Sequence, residues 1–219
     1  MPDTKLNWSN LREHFRKHLI IYVVVMAAAL LVTNFLWLAT SPRLPEEARV
    51  LIYMVAPYSN AEALDGEAAD LLQRGQAMDP ALQSVEFQSL LFPDPAQDYT
   101  GVMLLMTRLA AGEGDAFLAD ENGLNALAGS RACLGLEEYV AAGWLNGLEP
   151  VYHTYEDPET GASETKLIAL RIDTLNALRE REIMENEGSY LAVAANGTNI
   201  ETTMKLLELL VKDLSGGAA

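Results

Sequence analysis

The apolar residues of this chain fall into runs of distinct period, and each period predicts a different element. Residues 19–38 (LIIYVVVMAAALLVTNFLWL) contain no charged side chain. As a helix rising 1.5 Å per residue this run covers roughly 30 Å, the hydrocarbon thickness of a bilayer. Residues 50–56 (VLIYMVA) are apolar without interruption and end at Pro57, the pattern of a strand buried on both faces of a parallel sheet. Residues 84–92, 115–120 and 189–195 also read as strands. Between and after them, apolar positions recur at helical spacing: Leu64, Ala68, Leu71 and Leu72; Val102, Leu105, Met106 and Leu109; Leu124 and Leu127; and Ile200, Met204, Leu207, Val211 and Leu214. Residues 151–155 and 166–172 flank a polar segment, EDPETGASET, and predict a hairpin with a long exposed loop. Shorter helices are expected over 136–144 and 175–181.

Capping chemistry sharpens the boundaries. Ser59 with Glu62 and Thr198 with Glu201 have capping-box spacing, Asp98 and Asp120 stand where helices should begin, and Gly112, Gly216 and Gly217 where they should stop. Strands alternating with helices predict an α/β sheet with right-handed crossovers. The expected organisation is a tail over 1–18, a transmembrane helix over 19–39, a linker over 40–48 (TSPRLPEEA) and an extracytoplasmic α/β domain over 49–215.

Charge sets the expected topology and narrows the partners. The net charge is -16 and the pI about 4.5, so no nucleic-acid partner is expected, because phosphate binding needs a basic face. Lys5, Arg12, Arg16 and Lys17 precede the apolar run, whereas Arg43 and Arg49 after it are offset by Glu46 and Glu47. The positive-inside rule places the N-terminus in the cytoplasm and the larger domain outside the cell membrane, as a single-pass protein. A cleaved signal peptide is the competing reading, but its apolar core is normally 7 to 15 residues, and Trp37 and Leu38 crowd the one site near Ala39. Asn34 is either a tolerated amide or a helix-pairing one. Cys133 is the only cysteine, so neither an intrachain disulfide nor a cysteine zinc site is expected; with His14 and His18 in the tail, His153 is the only imidazole of the main domain.

Ligands of open α/β sheets sit beyond the carboxyl ends of the strands. The segments there are residues 57–60, 92–97, 120–122 and 196–199, and the candidate ligand-binding residues are Tyr58, Ser59, Asn60, Asp120 and Asn196. Helix N-termini at these places suit an anion or a polar ligand; helix capping by Ser59, Asp120 and Thr198 is the competing reading. No catalytic residue, metal site or cofactor is expected. Asp65, Glu67 and Asp70, and Glu113, Asp115 and Asp120, lack the spacing and central glycine of a calcium loop, and read as a solvated acidic face. Cys133 reads as a packed thiol, His153 as a strand-face imidazole and Trp144 as core. Asn196-Gly197-Thr198 is at once a glycosylation sequon and a turn.

Ala110, Ala111, Gly112, Asp115 and the run from Leu136 to Val140, within LAAGEGDAFLADENGLNALAGSRACLGLEEYV, resemble bacterial extracellular solute-binding proteins. The opening VLIYMVAPYS and the closing SYLAVAANGTNIETTMKLLELLV resemble them as well. The resemblance implies a periplasmic-binding-protein-like α/β sandwich. Two full lobes take roughly 300 residues or more, so the second is expected to be reduced to little beyond residues 145–185. It implies a membrane-anchored domain that binds a small molecule or an envelope protein without catalysis. The alternatives are an extracytoplasmic hydrolase using carboxylates such as Asp115 and Asp120, and a purely structural membrane-associated protein.

Overall fold

The computed structural model describes residues 8–40, 44–93, 99–157, 160–185 and 187–216. Helix α1 (Trp8–Thr40) is continuous and takes in the second half of the expected tail. Within it, Arg16–Trp37 is long and apolar enough to cross a membrane, with mean hydropathy 2.5. His14, His18 and Tyr22 recur every four residues and therefore share one stripe of the helix; the His14 Nε2 lies 3.0 Å from the Tyr22 hydroxyl.

A second unit begins at Leu44. It opens with a 3-10 turn, Glu46–Ala48, in which Ala48 is already buried, so folded structure reaches into the stretch expected to be linker. The strands are β1 (Arg49–Ala56), β2 (Ser84–Leu91), β3 (Ala116–Ala119), β4 (Glu149–Glu156), β5 (Ser163–Arg171) and β6 (Tyr190–Val193). They form one six-stranded sheet in the order β2-β1-β3-β6-β5-β4. The first three pair in parallel; β3 with β6, β6 with β5, and β5 with β4 are antiparallel.

Because successive strand side chains point to opposite faces, β1 feeds two cores at once. Val50, Ile52, Met54 and Ala56 pack on the face that holds Leu71 of helix α2 (Asp65–Met78) and Met204 and Leu207 of helix α7 (Ile200–Leu214). Leu51, Tyr53 and Val55 pack on the other, with Leu105 of α3 (Tyr99–Ala110) and Leu124 and Leu127 of α4 (Glu121–Gly129). The uninterrupted apolar run of β1 is thus the signature of burial on both faces, as its pattern predicts. Short helices α5 (Glu137–Ala141) and α6 (Ala177–Glu180) occupy the positions expected for them, and Trp144 packs against the first core.

Two expectations are corrected. Residues 145–185 do not form a second lobe: β4 and β5 pair with each other and, through β6, extend the main sheet. The unpaired edge of β6 is satisfied by a hairpin instead of ending the sheet. Nor do the capping boxes form. The Ser59 hydroxyl donates to Met54 O at 3.5 Å, a 3-10 turn (Ala61–Leu64) precedes α2, and Asn199, not Thr198, stands at the N-cap of α7, without a side-chain cap bond. Asp120 does cap α4, accepting from Gly123 N at 2.7 Å. Asp98 lies outside the described residues.

At the amino end of β3, Asp115 joins three strands. Its N–H donates to Leu51 O and its carboxylate accepts Leu51 N–H, both at 2.8 Å, while Ala194 N–H donates to Asp115 O at 2.9 Å. The carboxylate also accepts from the Thr198 backbone. Thr198 contributes its backbone to this junction, one residue ahead of the N-cap position of α7 at Asn199.

The approach of α4 to β1 depends on Gly123. A Cβ there would lie 2.8 Å from Val55 O and 2.9 Å from Val55 Cγ1. Glycine to alanine inside a helix ordinarily stabilises. Here Gly123→Ala should instead destabilise by about 1–3 kcal/mol, the scale of overpacking, as read from the denaturation midpoint in urea; an unchanged or higher midpoint would refute the close approach.

Candidate functional site

The chain leaving β1 turns toward the face that carries α2, whereas the chain leaving β3 turns into α4 on the opposite face. A crevice therefore opens between the carboxyl ends of these neighbouring parallel strands, the switch point at which open α/β sheets bind ligands. A cleft of about 350 Å³ occupies this place. Pro57 and Tyr58 line it from β1, Asp120 and Asn122 from β3, and Glu185 and Glu187 from the segment leading into β6. A second hollow of about 620 Å³ adjoins it, sharing Tyr58, Met184, Glu185 and Glu187 and bordered further out by Arg179 and Glu182. Both volumes lie in the range of small-molecule sites.

Three segments are locked together around this opening. The Tyr58 hydroxyl donates to Glu182 O at 3.3 Å, and Asn60 N–H donates to Ile183 O at 2.8 Å. On the far side of the loop, the Ser89 hydroxyl donates to Ser59 O at 3.1 Å and accepts Ala61 N–H at the same distance. Tyr58 is left 54% exposed, so a ring anchored at its hydroxyl presents its body to the cleft. Met184, 2% exposed, forms apolar floor. The Ser189 hydroxyl donates to Glu185 O on the same wall of the cleft.

Of the five predicted ligand residues, only Tyr58 and Asp120 line the cleft. Ser59 and Asn60 stand on the same edge, with the described bonds of Ser59 going to Met54 of β1 and Ser89 of β2 and that of Asn60 to Ile183. Asn196 lies at the other end of the sheet. Since β6 runs antiparallel to β3, with Ala116 opposite Val193 and Ala119 opposite Tyr190, residues after β6 emerge beside the amino end of β3. There the Asn196 Nδ2 sits 3.5 Å from where a Cβ on Gly112 would be. The same reversal delivers Met184, Glu185, Glu187, Gly188 and Ser189 to the cleft, and sequence reasoning missed them. Their local signal is Gly188, a turn residue with φ +67°. Residues 94–97 of the other predicted ligand segment lie outside the described residues.

The electrostatics favour neither an anion nor a two-carboxylate hydrolase. Asp120, Glu121, Glu185 and Glu187 line the inner cleft, and no Lys or Arg does among the described residues; the carboxylate of Asp120 already occupies the α4 N-terminus. Asp115 and Asp120 bracket the four-residue strand β3, roughly 16 Å apart at about 3.3 Å per residue, too far to act on one bond. The acidic residues flagged for calcium are used separately: Glu67 pairs with Arg181, Asp70 with Arg74 at 2.6 Å, and Glu113 with Arg108 at 2.5 Å. Among the described residues no group of three His, Cys, Asp or Glu side chains is placed to hold a metal ion. Burial pushes the Cys133 thiol up to about 12, so it stays protonated and packed.

No protein-family model and no curated protein matches the chain.

Burial raises the pKa of Asp120 above the ordinary carboxylate value, opposed chiefly by the bond from Gly123 N–H and reinforced by the charge of Glu121. A raised folded-state pKa means that ionisation costs stability above it and that the cost vanishes as pH falls through it. Asp120→Asn keeps an acceptor for Gly123 N–H and removes the titration. Its melting temperature should therefore gain on the wild type at pH 7 and lose that advantage toward pH 4; a constant difference would contradict the assignment.

Proposed function

We propose that this chain is a membrane-anchored binding domain, related to extracellular solute-binding proteins, that holds a small ligand at the carboxyl edge of its sheet without catalysing its conversion. The observation that carries the proposal is the cleft between the ends of β1 and β3, where a fixed aromatic ring and several polar groups converge. The resemblance around Ala110 to Asp115 supports the family relation, and the single sheet supports this edge, in place of a groove between two lobes, as the binding place. The charge-free run within α1 supports the anchor, and the basic residues before it support a cytoplasmic N-terminus.

Two experiments test this reading. In the host membrane the protein should resist alkaline carbonate extraction, and protease added to intact cells should digest the domain from residue 44 onward while sparing an N-terminal epitope. A mature chain beginning near residue 40 would replace the anchor with a cleaved signal. In nanodiscs, the full-length protein should melt at higher temperature with at least one member of a broad metabolite panel. A ligand at a hundred times its Kd stabilises by about 2.7 kcal/mol, and Tyr58→Ala should abolish most of that shift. A flat response to the whole panel, with an envelope protein co-purifying, would move the function to partner recognition.

A further inference from the structure

We infer that the basic segment at the inner end of α1 is a recognition site for anionic phospholipid headgroups, which gathers negatively charged lipid around the anchor. The inference rests on the membrane-anchor reading above and adds the kind of lipid that surrounds the helix. Arg12, His14, Arg16, Lys17 and His18 fall within seven residues, and Glu13 is the one acidic residue among them. In a chain of net charge -16 no other stretch of that length holds as many Lys, Arg and His residues. Four of the five side chains are exposed and His18 is half-buried. All belong to the same continuous helix as the apolar run, so the height of each along the bilayer normal follows from its position in the sequence.

That height matches the headgroup layer. The span Arg16–Trp37 has 22 residues, about 33 Å of helix against a hydrocarbon core of about 30 Å. With the span filling the core, Arg16, Lys17 and His18 stand at its inner boundary, and His14 and Arg12 stand roughly 3 and 6 Å further out, within a headgroup layer about 5–7 Å thick. At about 100° per residue, Arg12 and Arg16 lie on one side of the helix, His14 and His18 on the opposite side, and Lys17 between them. The basic groups thus reach around about 240° of the helix. A docked protein meets one side of a helix, whereas headgroups surround it. The guanidinium forks of Arg12 and Arg16 match phosphate oxygens. The His14 and His18 rings are 4.6 Å apart, and the His14 Nε2 is 3.0 Å from the Tyr22 hydroxyl, so the imidazoles form an ordered stripe of further donors. An anionic headgroup has no ammonium of its own to balance its phosphate, and the negative potential of the cytoplasmic leaflet draws such basic segments to it.

The test is electron spin resonance on the full-length protein in nanodiscs of phosphatidylcholine, with a trace of spin-labelled phosphatidylglycerol or spin-labelled phosphatidylcholine. For each label the spectrum reads the share of lipid held against the helix. Phosphatidylglycerol should associate about threefold more strongly than phosphatidylcholine at low salt, and the preference should fall toward parity near 1 M salt, where charges more than about 3 Å apart are screened. The triple variant Arg12→Gln/Arg16→Gln/Lys17→Gln should lose the preference while holding as much lipid in total, which separates lost recognition from lost insertion. Arg12→Lys/Arg16→Lys, which keeps the charges, should retain most of it. Both leaflets of the disc are alike, so a variant inserted in the reverse sense is read equally. Equal association of the two labels with the parent, or a preference that survives the triple substitution or high salt, overturns the inference and leaves the anchor standing. No held lipid with either label removes the anchor and the inference together.

Discussion

Asp115 ties the amino end of β3 to β1 on one side and to the end of β6 on the other. One residue exchanges two hydrogen bonds with Leu51 of β1, leads directly into β3, accepts from Ala194 just past β6, and receives the Thr198 backbone ahead of α7. A carboxylate buried to 9% exposure is costly, and burial raises its pKa. The donors that face it offset that cost, because an unmade bond in such a place leaves a buried N–H unsatisfied. The antiparallel entry of β6 follows from the same contacts, since the end of that strand is tied to the beginning of β3.

From this arrangement the two edges of the sheet acquire different characters. The amino edge is closed by hydrogen bonds around Asp115 and by the contacts of Gly112, Asn196 and Thr198. The carboxyl edge is parted by the divergence of the chain toward α2 and α4, and the segment before β6 arrives to form its outer wall. A recess there needs no second lobe. The antiparallel hairpin β4-β5 widens the sheet on the far side of β6 and leaves the switch point as the concave feature on which the functional proposal rests.

Charge is distributed with the same asymmetry. Asp70, Glu113, Glu67 and Glu201 pair with Arg74, Arg108, Arg181 and Lys205 within the chain, and the net charge of -16 is the excess of carboxylates over such cations. Asp120, Glu121, Glu185 and Glu187 place part of that excess beside the cleft. Surface ion pairs contribute little to stability individually, and Arg179 stands in the hollow next to the cleft that Glu185 and Glu187 also line.

The hydrophobic pattern alone determined the elements. The charge-free run of residues 19–38, the two-sided burial of residues 50–56 and the helical stripes at Leu105 and Leu207 were legible because burial imposes a period on local sequence. The cap at Asp120 was legible for the same reason, its partner being three residues away. Only the tertiary structure decided strand direction, the fate of residues 145–185 and the membership of the cleft. A buried strand has the same apolar pattern whichever way it runs, so the sequence of β6 carries no mark that would send Asn196 to one edge and Glu185 and Glu187 to the other. Ser59 and Thr198 had capping chemistry, but the Ser59 hydroxyl went to Met54 O and the Thr198 backbone to Asp115, partners whose positions depend on the assembled sheet.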